Sequence, residues 1–100
     1  MDKLIEKVEG LKLTRFQKDV LISVLSIPKG ETRTYKQIAD NIGRNNAYRA
    51  VGNALKKNPF PLIIPCHRVI RSDGRIGNYV FGSKRKWILL KKEGVKAKKK

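Results

Sequence analysis

The residues best suited to chemistry lie in one short stretch, Pro65-Cys66-His67-Arg68, which holds the single cysteine and the single histidine of the chain. A lone cysteine is more often a small buried hydrophobe than a nucleophile. Here the neighbours point to reactivity. Pro65 fixes the backbone before the thiol, and the positive charge that follows lowers a thiol pKa and raises the thiolate fraction. Adjacent side chains point apart, so Cys66 and His67 need a bridging water or a tight turn to work together. Such an imidazole also needs a third group to orient it, and Glu93 and Asp73 are the nearest acids downstream. One cysteine and one histidine exclude an internal disulfide and a cysteine-rich zinc site. No metal and no cofactor is expected.

That stretch must be held by a small frame. With 100 residues, 40% of them hydrophobic, the chain has enough for one core and one domain. We expect that domain over residues 1–95, followed by a basic tail over 96–100. The pattern predicts a mainly α fold. A short helix over 2–9 is closed by Gly10. A second runs over 15–26 after Thr14 as N-cap. Thr34 caps a third, with Gln37 completing a capping box and Gly43 ending the helix. A fourth is expected over 46–57, stopped by Asn58-Pro59. Helix, short glycine-containing turn, helix is the helix-turn-helix pattern, here winged-helix-like. Prolines 59, 61 and 65 forbid a regular helix in the next segment. Residues 62–64 and 69–70 read as short extended runs in an active-site loop, and a last helix follows from Ser83 to about Glu93.

Charge suggests what the frame meets. Lys and Arg number 24 against 8 Asp and Glu, a net charge of +16. Between Asp40 and Asp73 there is no acid, while Arg44, Arg49, Lys56, Lys57, Arg68 and Arg71 fall in that interval. An acid-free basic stretch in a small domain suggests a phosphate-facing surface. On the fourth helix, Ala47, Val51 and Leu55 point one way. Arg49, Gly52, Asn53 and Lys56 point the other, with Ala50 at the edge. A polar face is usually just solvated. The sharper reading is a nucleic-acid face, on which small residues let the backbone approach a minor groove only about 6 Å wide. No apolar run has the length of a membrane span, and the first residues lack the apolar stretch of a signal peptide. A cytoplasmic, prokaryotic protein without membrane contact is expected.

Pro65-Cys66-His67-Arg68-Val69 resembles the active-site motif of the O6-alkylguanine-DNA alkyltransferases, also called methylated-DNA–protein-cysteine methyltransferases. Thr34-Tyr35 with Ile38-Ala39, Arg49-Ala50-Val51-Gly52, Asn58-Pro59, Gly77-Asn78-Tyr79, and Leu89-Leu90 with Glu93 follow that family's order and spacing. The set covers about residues 12–94 and is highly specific together, while each piece alone is weak. The resemblance implies a catalytic, DNA-binding domain that moves an alkyl group from O6 of guanine in double-stranded DNA to its own cysteine. It implies minor-groove binding and a flipped nucleotide.

The same resemblance gives Cys66 the role of acceptor. It gives His67, through a water, and Glu93 the role of taking the thiol proton. Asn58 ties the helix-turn-helix to the active-site loop. Tyr35 serves the departing guanine, and Arg49 fills the gap left by the flipped base. The carbonyls of Cys66 and Val69 and the N–H near Val80 read the guanine edge, and Tyr79 lines that pocket. Ala50, Gly52, Asn53, Lys56 and Lys57 complete the DNA-binding set. One molecule is expected to react once, as a monomer.

The chain departs from the family in three places. It is expected to carry only the catalytic domain with a short leader. Tyr48 stands where a smaller residue is common. Val80 and Phe81 follow Tyr79 where small residues often occur, which is expected to narrow the pocket and limit bulky alkyl groups. The alternative reading is a non-catalytic alkyltransferase-like lesion-binding module, a class in which the cysteine is replaced. A helix-turn-helix regulator leaves Tyr35, Asn58 and Glu93 unexplained. A cysteine peptidase lacks an evident oxyanion-hole motif and suits the charge poorly.

Overall fold

The computed structural model describes residues 2–96. The basic tail expected at 96–100 lies, beyond Lys96, outside the described residues. Helix α1 spans Asp2–Glu9, and the Gly10 N–H closes it on Glu6 O at 3.1 Å. Helix α2 spans Arg15–Leu25. At its start Thr14 Oγ1 accepts the Gln17 N–H at 3.1 Å, while Gln17 Oε1 accepts the Thr14 N–H at 3.0 Å. This reciprocal pairing satisfies two helix-end donors at once. Thr34 and Gln37 repeat it at 3.0 and 2.8 Å to open α3, Tyr35–Asn41.

Helix α4 spans Tyr48–Leu55, shorter than the expected 46–57. Asn46 takes a left-handed φ of 70° and Ala47 supplies no side-chain cap, so the helix cannot begin earlier. Its last residues instead turn tightly, the Lys57 N–H reaching Ala54 O at 3.0 Å. Residues 62–64, expected extended, form a reversal. Leu62 has φ 79° and the Ile64 N–H returns to Phe60 O at 2.9 Å. Pro61 and Pro65 have no N–H to give a sheet, so the segment bonds to itself.

A 3₁₀ turn follows at Cys66–Arg68, then β2 at Val69–Ile70, and α5 at Ser83–Lys92 closes the fold. The extended run at 69–70 is therefore present. It pairs in parallel with a strand the sequence did not suggest, β1 at Arg33–Thr34, in the register Arg33↔Val69 and Thr34↔Ile70. The core lies between α2, α3 and α4. Val20, Leu21 and Val24 of α2 meet Ile38 and Ala39 of α3 and Val51 and Ala54 of α4, all buried. Each fully buried aliphatic side chain contributes about 1.5–3 kcal/mol. Ile64 and Val69 belong to the same core, which anchors the Cys66 turn on the helical layer. No helix among the described residues is long and apolar enough to cross a membrane.

Candidate functional site

Burial of Val51, Ala54 and Leu55 turns the opposite face of α4 outward, leaving Tyr48, Arg49 and Asn53 exposed, with Lys56 just beyond its end. That face forms one wall of a cleft of about 410 Å³ that has Cys66 among its lining residues. The facing wall comes from Tyr35 at the start of α3, Arg71 just after β2, and the loop from Gly77 to Val80. Gly77 holds φ 75°, and a Cβ there would lie 3.1 Å from the Tyr35 hydroxyl and 3.3 Å from Arg71 Cγ. Only glycine fits both the backbone angle and that space.

Cys66 is 5% exposed. Burial pushes its thiol up, while the Asn58 amide and the Lys86 ammonium pull it back towards thiolate. Asn58, itself buried, donates from Nδ2 to Ile64 O at 3.0 Å and accepts the Phe60 N–H at Oδ1, 2.9 Å. It thereby pins the residues on both sides of the reversal that leads to Cys66.

Behind the thiol, His67 Nε2 lies 3.1 Å from Glu93 Oε2. Arg68 grips both carboxylate oxygens, at 2.9 and 2.8 Å, and donates to Ile27 O at 2.8 Å. This grip above all, with His67 second among the bonds, holds the Glu93 carboxyl down at about 2. An ionised carboxylate only accepts, so Nε2 carries the ring proton and Nδ1 is left as the acceptor. Nδ1 is buried with no hydrogen-bond partner among the described residues. Burial lowers the His67 pKa; Glu93 opposes this, and Arg68 and Lys86 add to it. The imidazole is therefore neutral near pH 7 and its free lone pair is a base. Of the two acids the sequence left open, Glu93 orients the ring, while Asp73 pairs with Arg71 and Arg75.

Two internal cations have contacts that the sequence does not disclose. Arg68, expected beside the thiol and in the acid-free basic stretch, turns to Glu93 instead. Lys86 is not among the residues expected from sequence, yet it is 1% exposed. Its Nζ donates to Val69 O at 2.5 Å and Asn78 O at 3.1 Å and lies 3.4 Å from Tyr35 Oη. Burial takes its pKa down to about 8. The signal was present: Lys86 stands four residues before Leu90, on the inward stripe of α5, where a charge has to be used internally. Tyr35 has its hydroxyl pKa raised, chiefly by burial, so it stays a proton donor. Tyr79 Oη is buried without a partner among the described residues, and its ring stands edge-on to His67 at 6.3 Å.

Of the residues expected from sequence, Tyr35, Arg49, Gly52, Asn53, Lys56, Cys66, Tyr79 and Val80 line the cleft together. His67, Glu93 and Asn58 do not line it and lie in the layer behind. Ala50 and Lys57 are exposed and outside its walls. Val69, expected in the pocket set through its carbonyl, is not among the residues lining the cleft. Its side chain is fully buried in the core, and its carbonyl holds Lys86.

The family described as 6-O-methylguanine DNA methyltransferase, DNA binding domain, matches residues 15–95. The chain is 56% identical over 80 residues to a methylated-DNA–protein-cysteine methyltransferase of Methanosarcina barkeri, covering 80% of this chain and 51% of that one. It is 55% identical over 87 residues to a protein of the same name from Saccharolobus islandicus, covering 87% and 56%. It thus spans about half the length of these curated relatives. Its fold is similar to that of Mycobacterium tuberculosis OGT in complex with DNA, with TM-score 0.81, 49% identity, and 84% and 52% of the two chains covered. It is also similar to S. pombe Atl1 in complex with damaged DNA containing O6-carboxymethylguanine, with TM-score 0.74, 33% identity, and 86% and 82% covered. The family match spans every residue that builds the cleft, and this chain belongs to the 6-O-methylguanine DNA methyltransferase family through its DNA-binding domain.

Proposed function

We propose that the chain repairs DNA by moving an alkyl group, methyl in the simplest case, from O6 of guanine to Cys66, once per molecule. The observation that carries this reading is the position of the single cysteine in a cleft whose outer wall is the cationic face of α4. In this reading α4 enters the minor groove of double-stranded DNA. The alkylated nucleotide turns out of the stack, because its O6 substituent is out of reach inside a duplex. Arg49 takes the place it leaves, which offsets part of the unstacking cost.

The thiol proton passes to His67 Nδ1 through a water, and Glu93 stabilises the imidazolium that forms. The thiolate sulfur then attacks the alkyl carbon. The S–C bond forms as the C–O6 bond breaks, and the electron pair of the latter returns to guanine. Guanine takes up one proton in exchange for the one Cys66 lost, with the Tyr35 hydroxyl donating to the departing base. A thioether is inert, so the site is consumed. Val80 in the cleft lining, followed by the exposed Phe81, favours small alkyl groups. The chromosome as substrate places the work in the prokaryotic cytoplasm, and one chain carries every group named, so a monomer suffices.

A lesion-binding role without transfer is the second reading, favoured by the likeness to Atl1. Cys66 weighs against it, since binding alone needs no thiol at the cleft floor. Intact mass after incubation with duplex carrying one O6-methylguanine separates the two. The protein should gain one methyl in place of one hydrogen, on the Cys66 peptide, and Cys66→Ala should still bind the duplex without repairing it. An unchanged mass on a bound lesion would leave only the binding role. Repeated turnover would overturn both.

A further inference from the structure

The cleft walls carry three cations, Arg49, Lys56 and Arg71, and no carboxylate among the described residues. Arg49 and Lys56 belong to α4 and the residue after it. Arg71 alone rises from the facing wall, and no step above uses it. Its main chain is fixed on both sides. The Arg71 N–H donates to Arg75 O at 2.8 Å, and its carbonyl accepts the Gly74 N–H at 3.0 Å. Two residues earlier, Val69 is held by β1 and by Lys86. The stem starts beside the Tyr35 hydroxyl, both crowding the hydrogen face of Gly77.

Beyond that fixed stem the side chain is 55% exposed, and its partner is the exposed carboxylate of Asp73 at 3.4 Å. That separation exceeds the roughly 2.7–2.9 Å of a charge-assisted hydrogen bond. Exposed pairs of this kind contribute little, so the guanidinium can exchange Asp73 for a better anion.

We propose that Arg71 grips a phosphate flanking the extruded nucleotide, holding the sugar-phosphate chain from the side opposite α4. The inference rests on the alkyl-transfer reading above. A guanine whose O6 substituent reaches Cys66 must leave its sugar and phosphates at the cleft mouth. Arg71 is the mouth cation on the wall that does not face the groove. Its planar fork matches two phosphate oxygens, as an ammonium cannot.

Single-turnover transfer on three substrates tests this: duplex with O6-methylguanine, the same strand alone, and free O6-benzylguanine, which has no phosphate. Arg71→Ala should lower the ratio of the DNA rate to the free-base rate about tenfold, on duplex and single strand alike. Arg71→Lys should recover part of it. Replacing the flanking phosphates by neutral methylphosphonates should slow the unaltered protein about tenfold and the Arg71→Ala variant little further. An equal loss on the free base would overturn the proposal and assign Arg71 to Tyr35 or the fold. So would losses from variant and methylphosphonate that simply add. No transfer by the unaltered protein from any substrate would overturn the alkyl-transfer reading itself, before Arg71 is compared.

Discussion

Two groups of cations in this molecule share residue type and differ in everything else. Arg49, Lys56 and Lys57, on α4 and its exit, are exposed, and among the described residues no ion pair within the chain takes them. Arg68 and Lys86 lie behind the thiol. One is spent on Glu93 and Ile27 O, the other on Val69 O and Asn78 O. The net charge of +16 counts both groups equally. Only the first is offered to a partner, and salt screens it. The second fixes the site from within, where screening is weak. A charge total therefore speaks of partners only after the internally used charges are set aside.

Removing an internal partner is the strongest way to probe that division. Glu93→Gln keeps the shape and deletes the charge opposite Arg68, leaving a mostly buried guanidinium poorly matched. Breaking such a pair costs about 3 kcal/mol. Urea unfolding should show that loss at low and at high salt alike. A loss that high salt erases would place the pair with the surface charges.

Acid titration probes the same pair more gently. Glu93 in the folded protein sits at about 2, below its usual 4.5, and His67 sits below its usual 6.5. For both, the unfolded chain binds protons first as the pH falls. Their contribution is therefore complete above pH 6.5. It declines first as the His67 of the unfolded chain titrates, then from about 4.5 down to about 2 through Glu93. The limiting slope is about 1.4 kcal/mol per pH unit for each group. Glu93→Gln should flatten the lower step in a pH series of unfolding free energies. An unchanged lower step would mean another carboxylate carries it.

The surface group should answer differently. Arg49→Ala should slow transfer on duplex on the order of tenfold to a hundredfold, since unstacking a base costs a few kcal/mol. Single strands and free O6-benzylguanine, where nothing is unstacked, should be nearly unaffected. An equal loss on all three would move Arg49 from the DNA face into the support of the site. The smallest effect belongs to Lys56→Gln and Lys57→Gln. Each should lower the salt slope of duplex binding by about one unit and weaken all sequences alike. A sequence-dependent change would show base readout instead of phosphate contact.

What the sequence disclosed follows the range of the interactions. Thr14, Thr34, Gly10 and Asn58-Pro59 act on their own neighbours, so helix ends could be read from them. The Thr14–Gln17 box is as local as the Thr34–Gln37 one. Leu62 takes a left-handed angle that its residue type does not announce, so residues 62–64 turn back; Asn46, of a type that tolerates that region, takes one just before α4 and shortens the helix. β1 is two residues long and exists only because β2 lies beside it. In the site, residue types pointed to Cys66 and His67 and left Glu93 and Asp73 open, while only the family resemblance implied site roles for Glu93 and Asn58. Neither could show that Arg68 bends back to Glu93, or that Lys86 lies under the carbonyl of Val69, because both are contacts across the fold.

The two-residue pairing of β1 with β2 has a consequence in time as well as space. Helix α3 meets its chain neighbours α2 and α4 through contacts short in sequence, which close fast. The turn bearing Cys66 is fastened by Val69 to Arg33 and by Arg68 to Ile27, both far back along the chain. Those loops carry the larger closure entropy and close after the helical layer that receives them. During refolding, helicity should thus recover before the thiol is shielded from a thiol-modifying reagent. The chain would then pass through a state that is already helical while its thiol is still open to solvent.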